Sequence, residues 1–280
     1  AGSARRALDP RSTVCRTQGS PLHGNPRHAA DRLGAVSNAD SPASASAASD
    51  LRRIAASLAA PAPLNWVITG DSITHGLVHT QGGRSYPEHL HELIRGELER
   101  VRDVVLNTAI SGNRIVDLLD DWDRRVASWR PDVVTLMIGT NDASDGGPRE
   151  VITADDYAAS LRDFVARVRE LGAVPVLQTP PAIDVRNAPE RARIGEFAEA
   201  VRQVAAGEDV ILVDQYARFA ELGAGGVPWG LMNDPFHPNT EGHAALALEL
   251  AHAIGIRPEG PRARTFALLE GLVATARQNA

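Results

Sequence analysis

A short apolar run that ends in a polar turn, LNWVITGDSITHG at residues 64–76, sets the pattern of the fold. Its first half has the composition of a buried β-strand, and Ser72 follows the predicted strand almost directly. From residue 64 onward, similar apolar runs alternate with longer amphipathic stretches whose apolar residues recur at helical spacing. This alternation predicts repeated β-α units around a parallel sheet.

Five apolar runs are the predicted strands, and the amphipathic stretches between them are the predicted crossover helices. The strands occupy residues 64–69, 104–109, 133–138, 174–178 and 210–213. The apolar helical stripes cover residues 86–101, 115–129, 157–171 and 194–204, with further helices after residue 239 and over 266–276. We therefore expect an α/β protein with a three-layer, flavodoxin-like fold, a five-stranded parallel sheet and functional groups at the carboxyl ends of the strands.

The beginning of the chain differs in composition from the rest. Residues 1–50 contain no Phe, Trp or Tyr, and residues 41–49 are nearly all Ala and Ser. Such a segment buries too little apolar surface to offset the entropy of ordering its backbone. We predict that residues 1–50 are disordered or loosely packed, and that residues 51–280 form one domain entered through a short helix at 51–60.

The charge composition argues against several classes of function. The 280 residues include 29 basic side chains, all of them arginine, and 35 acidic ones, for a net charge of −6. Mechanisms that need a P-loop lysine or a Schiff-base lysine are excluded. The acidic balance, without a basic cluster, argues against nucleic acid or an anionic membrane surface as a partner.

Hydropathy patterning bears on localisation. No apolar run reaches the roughly 18 to 20 residues of a membrane span, and the N-terminus has no signal-peptide core. We expect a soluble monomer, in the cytoplasm or secreted after removal of a leader that this sequence does not contain.

The patterns that usually bind metals are weak in this chain. Cys15 is the single cysteine and has no neighbouring ligands, so we expect it to be inert. His75 and His79 are four residues apart, as are the two histidines of the H-E-x-x-H motif of zinc hydrolases. That motif requires a glutamate directly after the first histidine, and this chain has a glycine there. His89 and His91 would face different sides of a helix and are interpreted as solvated. We expect no metal and no other cofactor.

Two segments carry side chains suited to nucleophilic catalysis. At the carboxyl end of the first predicted strand, Ser72 can present its hydroxyl group and its backbone N–H to the same cleft. In the segment DPFHPN at 234–239, Asp234 lies three residues before His237 and can hold the imidazole as a general base. Taken alone, each segment is equally compatible with a turn or a helix cap. The order Ser, Asp, His is compatible with a catalytic triad.

Two further strand ends carry groups that could bind an oxyanion. Gly112 lies in AISGN at 109–113, where the absence of a side chain lets a backbone N–H approach a ligand. Asn141 lies in GTND at 139–142 and offers a neutral amide donor. Glycine and asparagine at strand ends are often only turn residues. Their joint occurrence with the serine and the D-x-x-H segment is the informative observation.

These four segments together resemble the sequence blocks of the SGNH hydrolase superfamily, the GDSL-type esterases and lipases. The blocks appear in order as GDSIT at 70–74, NTAISG at 107–112, GTND at 139–142 and DPFH at 234–237. The resemblance implies a serine ester hydrolase that forms an acyl-enzyme intermediate. It implies that Ser72 is the nucleophile, that Asp234 orients His237 as the base, and that Ser72, Gly112 and Asn141 form the oxyanion hole.

The substrate is less constrained by the motifs. Short loops rich in Gly and Asp favour small acyl groups, so we expect acetyl esters, possibly on carbohydrate. Arg84, Arg114 and Trp229 are further candidates for substrate binding because they lie near the motif blocks or in a variable loop. Since the base must be neutral, we also expect activity to fall as the pH drops through the pKa of His237, near or above the ordinary value of about 6.5.

Several alternatives remain compatible with the same motifs. An acyltransferase, a lipase or lysophospholipase, and a non-catalytic module that binds glycans or acyl groups can all be built on this scaffold. No G-x-S-x-G segment occurs in the chain, which disfavours the hydrolases that carry their serine on a nucleophile elbow.

Overall fold

The computed structural model describes residues 46–259 and 263–278. The predictions for residues 1–45, including the inert Cys15, fall outside the described residues. Within the described ranges the strands are β1 (Asn65–Gly70), β2 (Val104–Asn107), β3 (Val133–Met137), β4 (Val174–Gln178) and β5 (Ile211–Val213). The α-helices are α1 (Ala47–Ala59), α2 (Ser72–His75), α3 (Tyr86–Glu92), α4 (Ile115–Asp120), α5 (Trp122–Arg125), α6 (Ala154–Glu170), α7 (Ile194–Gly207), α8 (Gln215–Leu222), α9 (Thr240–Ala253) and α10 (Arg264–Gln278).

The five strands form one parallel sheet in the order β2-β1-β3-β4-β5. The chain passes from β1 outward to β2 and then returns to the other side of β1 for β3. Such a reversal of direction opens a crevice at the carboxyl ends of the strands on either side of it. The predicted fold class and strand number are confirmed, and the crevice lies where the predicted site residues follow β1, β2 and β3.

Apolar packing on both faces of the sheet explains the continuous apolar runs of the strands. Successive side chains of β1 alternate between the faces, so that Trp66 and Ile68 pack on one face and Val67 packs on the other. The first face is covered by α3, α9 and α10, and the second by α6 and α7. All three β1 side chains are fully buried, which places this strand at the centre of the protein.

The first described helix begins earlier than predicted. Helix α1 starts at Ala47 because Ser46 and Ser49 form a reciprocal capping box, in which each backbone N–H donates to the other side chain. The apolar stripe of a helix reports its buried face, but the hydroxyl groups of its cap set its first residue. The division of the chain at residue 50 remains a prediction.

Other helices differ from the expectation in continuity and number. The predicted helix over 115–129 is broken at Asp121, whose φ of −105° and ψ of 28° leave the helical region. After this break Arg125 is buried beneath the end of β1, where it donates to the Thr69 hydroxyl at 3.2 Å and the Gly70 carbonyl at 3.3 Å. Helix α8 was not predicted. None of the described helices is both long enough and apolar enough to cross a bilayer.

Candidate active site

Ser72 is positioned by the junction between β1 and α2. It is the first residue of α2, and the Asp71 carboxylate caps the helix by accepting the Ile73 N–H at 3.0 Å. The preceding Gly70 has no room for a side chain, since a Cβ atom there would lie 2.0 Å from the carbonyl oxygen of Met137 on β3. Glycine at position 70 therefore lets β1 and β3 approach closely, directly before the turn that carries Ser72.

Helix α2 is then attached to its neighbours through its last turn. The Asn107 side chain at the end of β2 donates to the Thr74 carbonyl at 2.8 Å and accepts the Ala109 N–H at 3.0 Å. The Thr74 hydroxyl lies 2.9 Å from the Tyr86 hydroxyl. Asn107 therefore joins the segment that carries Ser72 to the segment that carries Gly112.

The structure brings Ser72, His237 and Asp234 together in one hydrogen-bonded chain. The Ser72 Oγ atom lies 2.9 Å from His237 Nε2, and His237 Nδ1 lies 2.7 Å from Asp234 Oδ2. The second carboxylate oxygen accepts the backbone N–H groups of Phe236 at 3.0 Å and His237 at 2.9 Å. A neutral imidazole that donates from Nδ1 to Asp234 leaves Nε2 free to accept the Ser72 proton.

Burial and hydrogen bonding move the two pKa values of this pair. Burial lowers the pKa of His237, and the Asp234 carboxylate opposes this only in part. Burial by itself would raise the pKa of Asp234, but the Phe236 and His237 N–H groups and the imidazole hold it below its ordinary value. The expectation of a His237 pKa near or above 6.5 is therefore wrong, because a sequence pattern does not report desolvation. The lowered pKa favours the neutral form of His237 at pH 7.

The other predicted oxyanion residues follow the strands on either side of β1. Gly112 has a φ of +82°, a conformation that favours glycine, and the space beside its Cα is open. Asn141 donates from Nδ2 to the Asn113 carbonyl at 3.1 Å. On the other side, His75 Nδ1 accepts the Ser111 N–H at 3.3 Å. The loop after β2 is thus held between α2 and the end of β3.

Two rings that the sequence did not single out for this site lie against His237. The His79 ring stacks on it with centroids 3.5 Å apart and planes 9° apart, and the Phe236 ring lies at 4.4 Å. The Arg191 guanidinium covers the Phe236 ring at 3.8 Å. His79 could not have been identified from spacing, since it is close to Ser72 in sequence but meets His237 only in the fold.

The trio His79, Asp234 and His237 is also the group to consider for a metal ion. One ligand atom from each lies within 4.8 Å of the others. His237 Nε2, however, lies 2.9 Å from Ser72 Oγ. The carboxylate oxygen already accepts a hydrogen bond from His237 Nδ1. This geometry favours proton transfer over metal coordination.

Buried carboxyl groups lie beneath the candidate site. Burial raises the pKa of both Asp71 and Asp142 to about 7, and their proximity contributes to the shift of Asp71. Asp142 accepts the Ile115 N–H at 2.9 Å and so helps to hold the start of α4. Each carboxyl group has one oxygen without a hydrogen-bond partner among the described residues. Each aspartate thus holds a backbone N–H group at the start of a helix.

The predicted substrate-binding residues are placed away from the triad contacts. Arg84 is 54% exposed and lies 3.3 Å from a Glu92 carboxylate oxygen. Arg114 is buried, donates to the Glu150 carbonyl, and has a pKa lowered by burial. Trp229 begins a short 3-10 helix, Trp229–Leu231, and is 46% exposed. Their roles in binding substrate remain predictions.

The interpretation of His89 as solvated is wrong. His89 lies on α3 and is buried, with 7% of its surface exposed. His91 on the same helix is half-buried and lies 3.1 Å from the Arg95 guanidinium. Neither His89 ring nitrogen has a hydrogen-bond partner among the described residues, and burial lowers its pKa to about 4. Buried His243 on α9 has a pKa lowered further, to about 3. Helical spacing alone did not indicate that α9 covers this side of α3.

The chain matches a known protein family. The model of the GDSL-like Lipase/Acylhydrolase family matches residues 68–245. The chain belongs to this family. As a GDSL-like acylhydrolase it is a serine ester hydrolase, and the matched range contains every residue of the hydrogen-bonded chain.

Curated and solved relatives agree with the family. An acetylxylan esterase from Geobacillus stearothermophilus is 30% identical over 66% of this chain and 91% of its own length. The crystal structure of Axe2, an acetylxylan esterase from the same organism, has a TM-score of 0.62 at 27% identity and covers 71% of this chain and 97% of its own. LAE5, an alpha/beta hydrolase from the metagenome of Lake Arreo, Spain, has a TM-score of 0.59 at 29% identity over 70% of this chain and 96% of its own.

Further Axe2 structures bear on the kind of site. They are catalytic mutants of this esterase in which a serine, an aspartate or a histidine is replaced by alanine. These are the residue types that form the hydrogen-bonded chain described above, and in Axe2 the histidine likewise follows the aspartate by three positions.

Proposed function

We propose that this GDSL-like acylhydrolase removes acetyl groups from a carbohydrate ester, with Ser72 as the nucleophile. The observation that carries the proposal is the chain of short contacts from Ser72 Oγ through His237 to Asp234, at 2.9 and 2.7 Å. A serine hydroxyl is a weak nucleophile until a neutral base within hydrogen-bond reach accepts its proton. The lowered pKa of His237 supplies that base at neutral pH.

In the acylation step, Ser72 Oγ attacks the carbonyl carbon of the ester while its proton moves to His237 Nε2. The electron pair of the carbonyl π bond goes to the carbonyl oxygen and forms a tetrahedral oxyanion. When the intermediate collapses, the bond to the sugar oxygen breaks and His237 returns the proton to that oxygen. Acetyl-Ser72 and a free sugar hydroxyl remain.

Three donors are assigned to the oxyanion: the N–H of Ser72, the N–H of Gly112 and the side-chain amide of Asn141. They follow β1, β2 and β3, which are adjacent in the sheet. Donors that are fixed before the reaction stabilise the developing charge without reorganisation, and each is worth on the order of 3 kcal/mol.

Deacylation uses the same groups in reverse. His237 Nε2 accepts a proton from water as the water oxygen attacks the acetyl carbon. The second tetrahedral intermediate then expels Ser72 Oγ, which takes the proton back from His237. Acetate leaves and the hydroxyl of Ser72 is restored. The Asp234 carboxylate keeps the Nδ1 proton in place and stabilises the imidazolium that forms in both steps.

Two observations support a small acyl group on a carbohydrate. Two of the relatives named above, the curated one and Axe2, are acetylxylan esterases. Cavities of about 550 and 430 Å³ lie beside Trp229–Leu231 and beside Arg114, and neither has Ser72 or His237 in its lining. Both cavities are lined by charged as well as apolar residues, and neither of the two reaches the serine.

The test is hydrolysis of p-nitrophenyl acetate, butyrate and palmitate, followed by acetate release from acetylated xylo-oligosaccharides. We expect the acetate ester to be hydrolysed fastest. Ser72→Ala is expected to lose at least about 10³-fold in kcat, because no other hydroxyl takes its place. Ser57→Ala on α1 is the matched control and should keep the wild-type rate.

The alternatives give different results in the same assays. Equal rates for wild type and Ser72→Ala would remove the assignment of the nucleophile. A preference for palmitate would favour a lipase. Formation of a new ester with an added sugar alcohol, faster than release of acetate, would favour an acyltransferase. Binding of the oligosaccharide without turnover would favour a non-catalytic module.

A further inference from the structure

His79 makes a direct contact with the candidate base that the mechanism above does not use. It lies in the short 3-10 helix Leu77–Thr80, and its ring covers one face of His237 at a centroid distance of 3.5 Å. Its Nδ1 atom lies 3.4 Å from Asp234 Oδ2, the oxygen that also contacts His237 Nδ1 at 2.7 Å. Both imidazoles therefore meet the same carboxylate oxygen.

The His79 ring is held in this position by residues from two loops. Asn233 Nδ2 lies 3.4 Å from His79 Nδ1, and the Asn233 side-chain oxygen accepts a hydrogen bond from Gln81 at 2.8 Å. The Thr240 hydroxyl at the start of α9 donates to the carbonyl oxygen of Thr80, next to His79. The His79 side chain is 22% exposed, so most of its surface is packed. The stacked geometry is thus built into the fold before substrate arrives.

We propose that His79 is a positioning residue for the catalytic base: its ring holds His237 in the plane that meets both Ser72 and Asp234 and stabilises the imidazolium that forms there. This inference rests on the proposed function, since it requires His237 to act on Ser72. His79 does not touch the reacting atoms in this arrangement.

The physical reason lies in the charge that His237 acquires. During each attack step the imidazole becomes an imidazolium, and the π face of a neutral ring stabilises a cation stacked on it. The His79 ring is placed for this contact, since the two ring centroids are 3.5 Å apart and the planes differ by 9°.

The other titratable groups around His79 are few. Asp234 and His237 face it from the loop before α9, and buried His243 on α9 interacts with it through space. Arg191 acts on His237 and lies over the Phe236 ring.

The test separates the aromatic ring of residue 79 from its hydrogen-bonding nitrogen atoms. His79→Phe keeps a flat ring and removes the nitrogen atoms, His79→Gln keeps hydrogen-bonding groups and removes the ring, and His79→Ala removes both. His91→Ala, a half-buried histidine on α3, is the control. kcat and KM for p-nitrophenyl acetate are measured from pH 4.5 to 9, with thermal melting to show that each variant is folded.

We expect kcat of His79→Ala to fall about 3- to 10-fold at pH 8 with little change in KM, because one stacking contact is lost. His79→Gln should resemble His79→Ala, and His79→Phe should recover most of the rate.

The opposite results are equally clear. An unchanged kcat in His79→Ala, or equal losses in His79→Phe and His79→Ala at pH 8, would overturn the proposal. If His79→Ala does not fold, His79→Gln and His79→Phe decide, since equal losses of kcat in these two variants contradict it. Ser72→Ala tells a failure of the proposed function from a failure of this inference. Activity retained in Ser72→Ala would remove the proposed function. An inactive Ser72→Ala together with an unaffected His79→Ala would remove only the role of His79.

Discussion

The side-chain amide of Asn141 donates to the backbone carbonyl of Asn113 across 3.1 Å, from the end of β3 to the loop after β2. An amide nitrogen carries two hydrogens, so this contact uses one and leaves the other for a ligand. The same contact holds the loop that contains Gly112 and its left-handed φ of +82°. Asn141 is therefore suited both to donate to an oxyanion and to fix the neighbouring donor.

Replacement of the Asn141 side chain should slow chemistry far more than it weakens substrate binding. We expect Asn141→Ala to lower kcat for p-nitrophenyl acetate about 10²- to 10³-fold with little change in KM, because the donor acts mainly in the transition state. Asn113→Ala is the matched control, since it keeps the carbonyl that Asn141 contacts and should retain most of the rate. A fall of less than threefold in Asn141→Ala would remove the amide from the oxyanion hole.

The pH dependence of activity follows from the lowered pKa of His237. The neutral imidazole is the active form, and burial disfavours the charged one. Activity should therefore persist below pH 6.5 and be lost only as the pH falls through the lowered pKa. The profile of kcat/KM for p-nitrophenyl acetate between pH 4.5 and 8 measures this. An acid inflection at or above 6.5 would contradict the assignment of burial as the dominant cause.

The buried carboxyl of Asp71 should make stability depend on pH. Its pKa in the fold is about 7 against an ordinary 3.8, so its favourable contribution is present below 3.8 and is lost as the pH rises through about 7. Asp71→Asn keeps an oxygen to accept the Ile73 N–H and removes the buried charge. We expect it to be more stable than wild type at pH 8 by about 1–3 kcal/mol. Asp71→Ala removes the cap, which costs about 1 kcal/mol.

Urea unfolding at pH 8 and pH 5 measures both Asp71 variants. The advantage of Asp71→Asn should shrink at pH 5, where the wild-type carboxyl is protonated in the fold. An advantage that is the same at both pH values would show that Asp71 does not titrate between them.

Buried His89 should make stability depend on pH in the opposite direction to Asp71. Its pKa of about 4 in the fold lies below the ordinary 6.5, so the stability it contributes is present above 6.5 and is lost as the pH falls toward 4. Between pH 6.5 and 5, His89→Leu should gain about 2 kcal/mol relative to wild type in the free energy of unfolding. His91→Leu, on the same helix but half-buried, should gain less. A constant difference between wild type and His89→Leu would contradict the burial of a neutral imidazole.

Local pattern was enough to predict the sheet. Each predicted strand overlaps an observed one, and the run at 174–178 matches β4 to the residue. Parallel strands buried on both faces are continuous apolar runs, and crossover helices show their buried stripe at helical spacing, so both signals are local. The break at Asp121 and the start of α1 depend on single hydrogen bonds or dihedral angles, which periodicity does not report.

Sequence alone also names the candidate residues, because the four motif blocks that carry them resemble those of the SGNH hydrolases. These residues are Ser72, Asp234, His237, Gly112 and Asn141. Tertiary structure decided everything that depends on what lies against a side chain. Segments that meet only in the folded chain bury His89 and lower the pKa of His237 by desolvation. They also stack His79 on His237. Burial and stacking are properties of the space around a group, and residues adjacent in sequence do not determine that space.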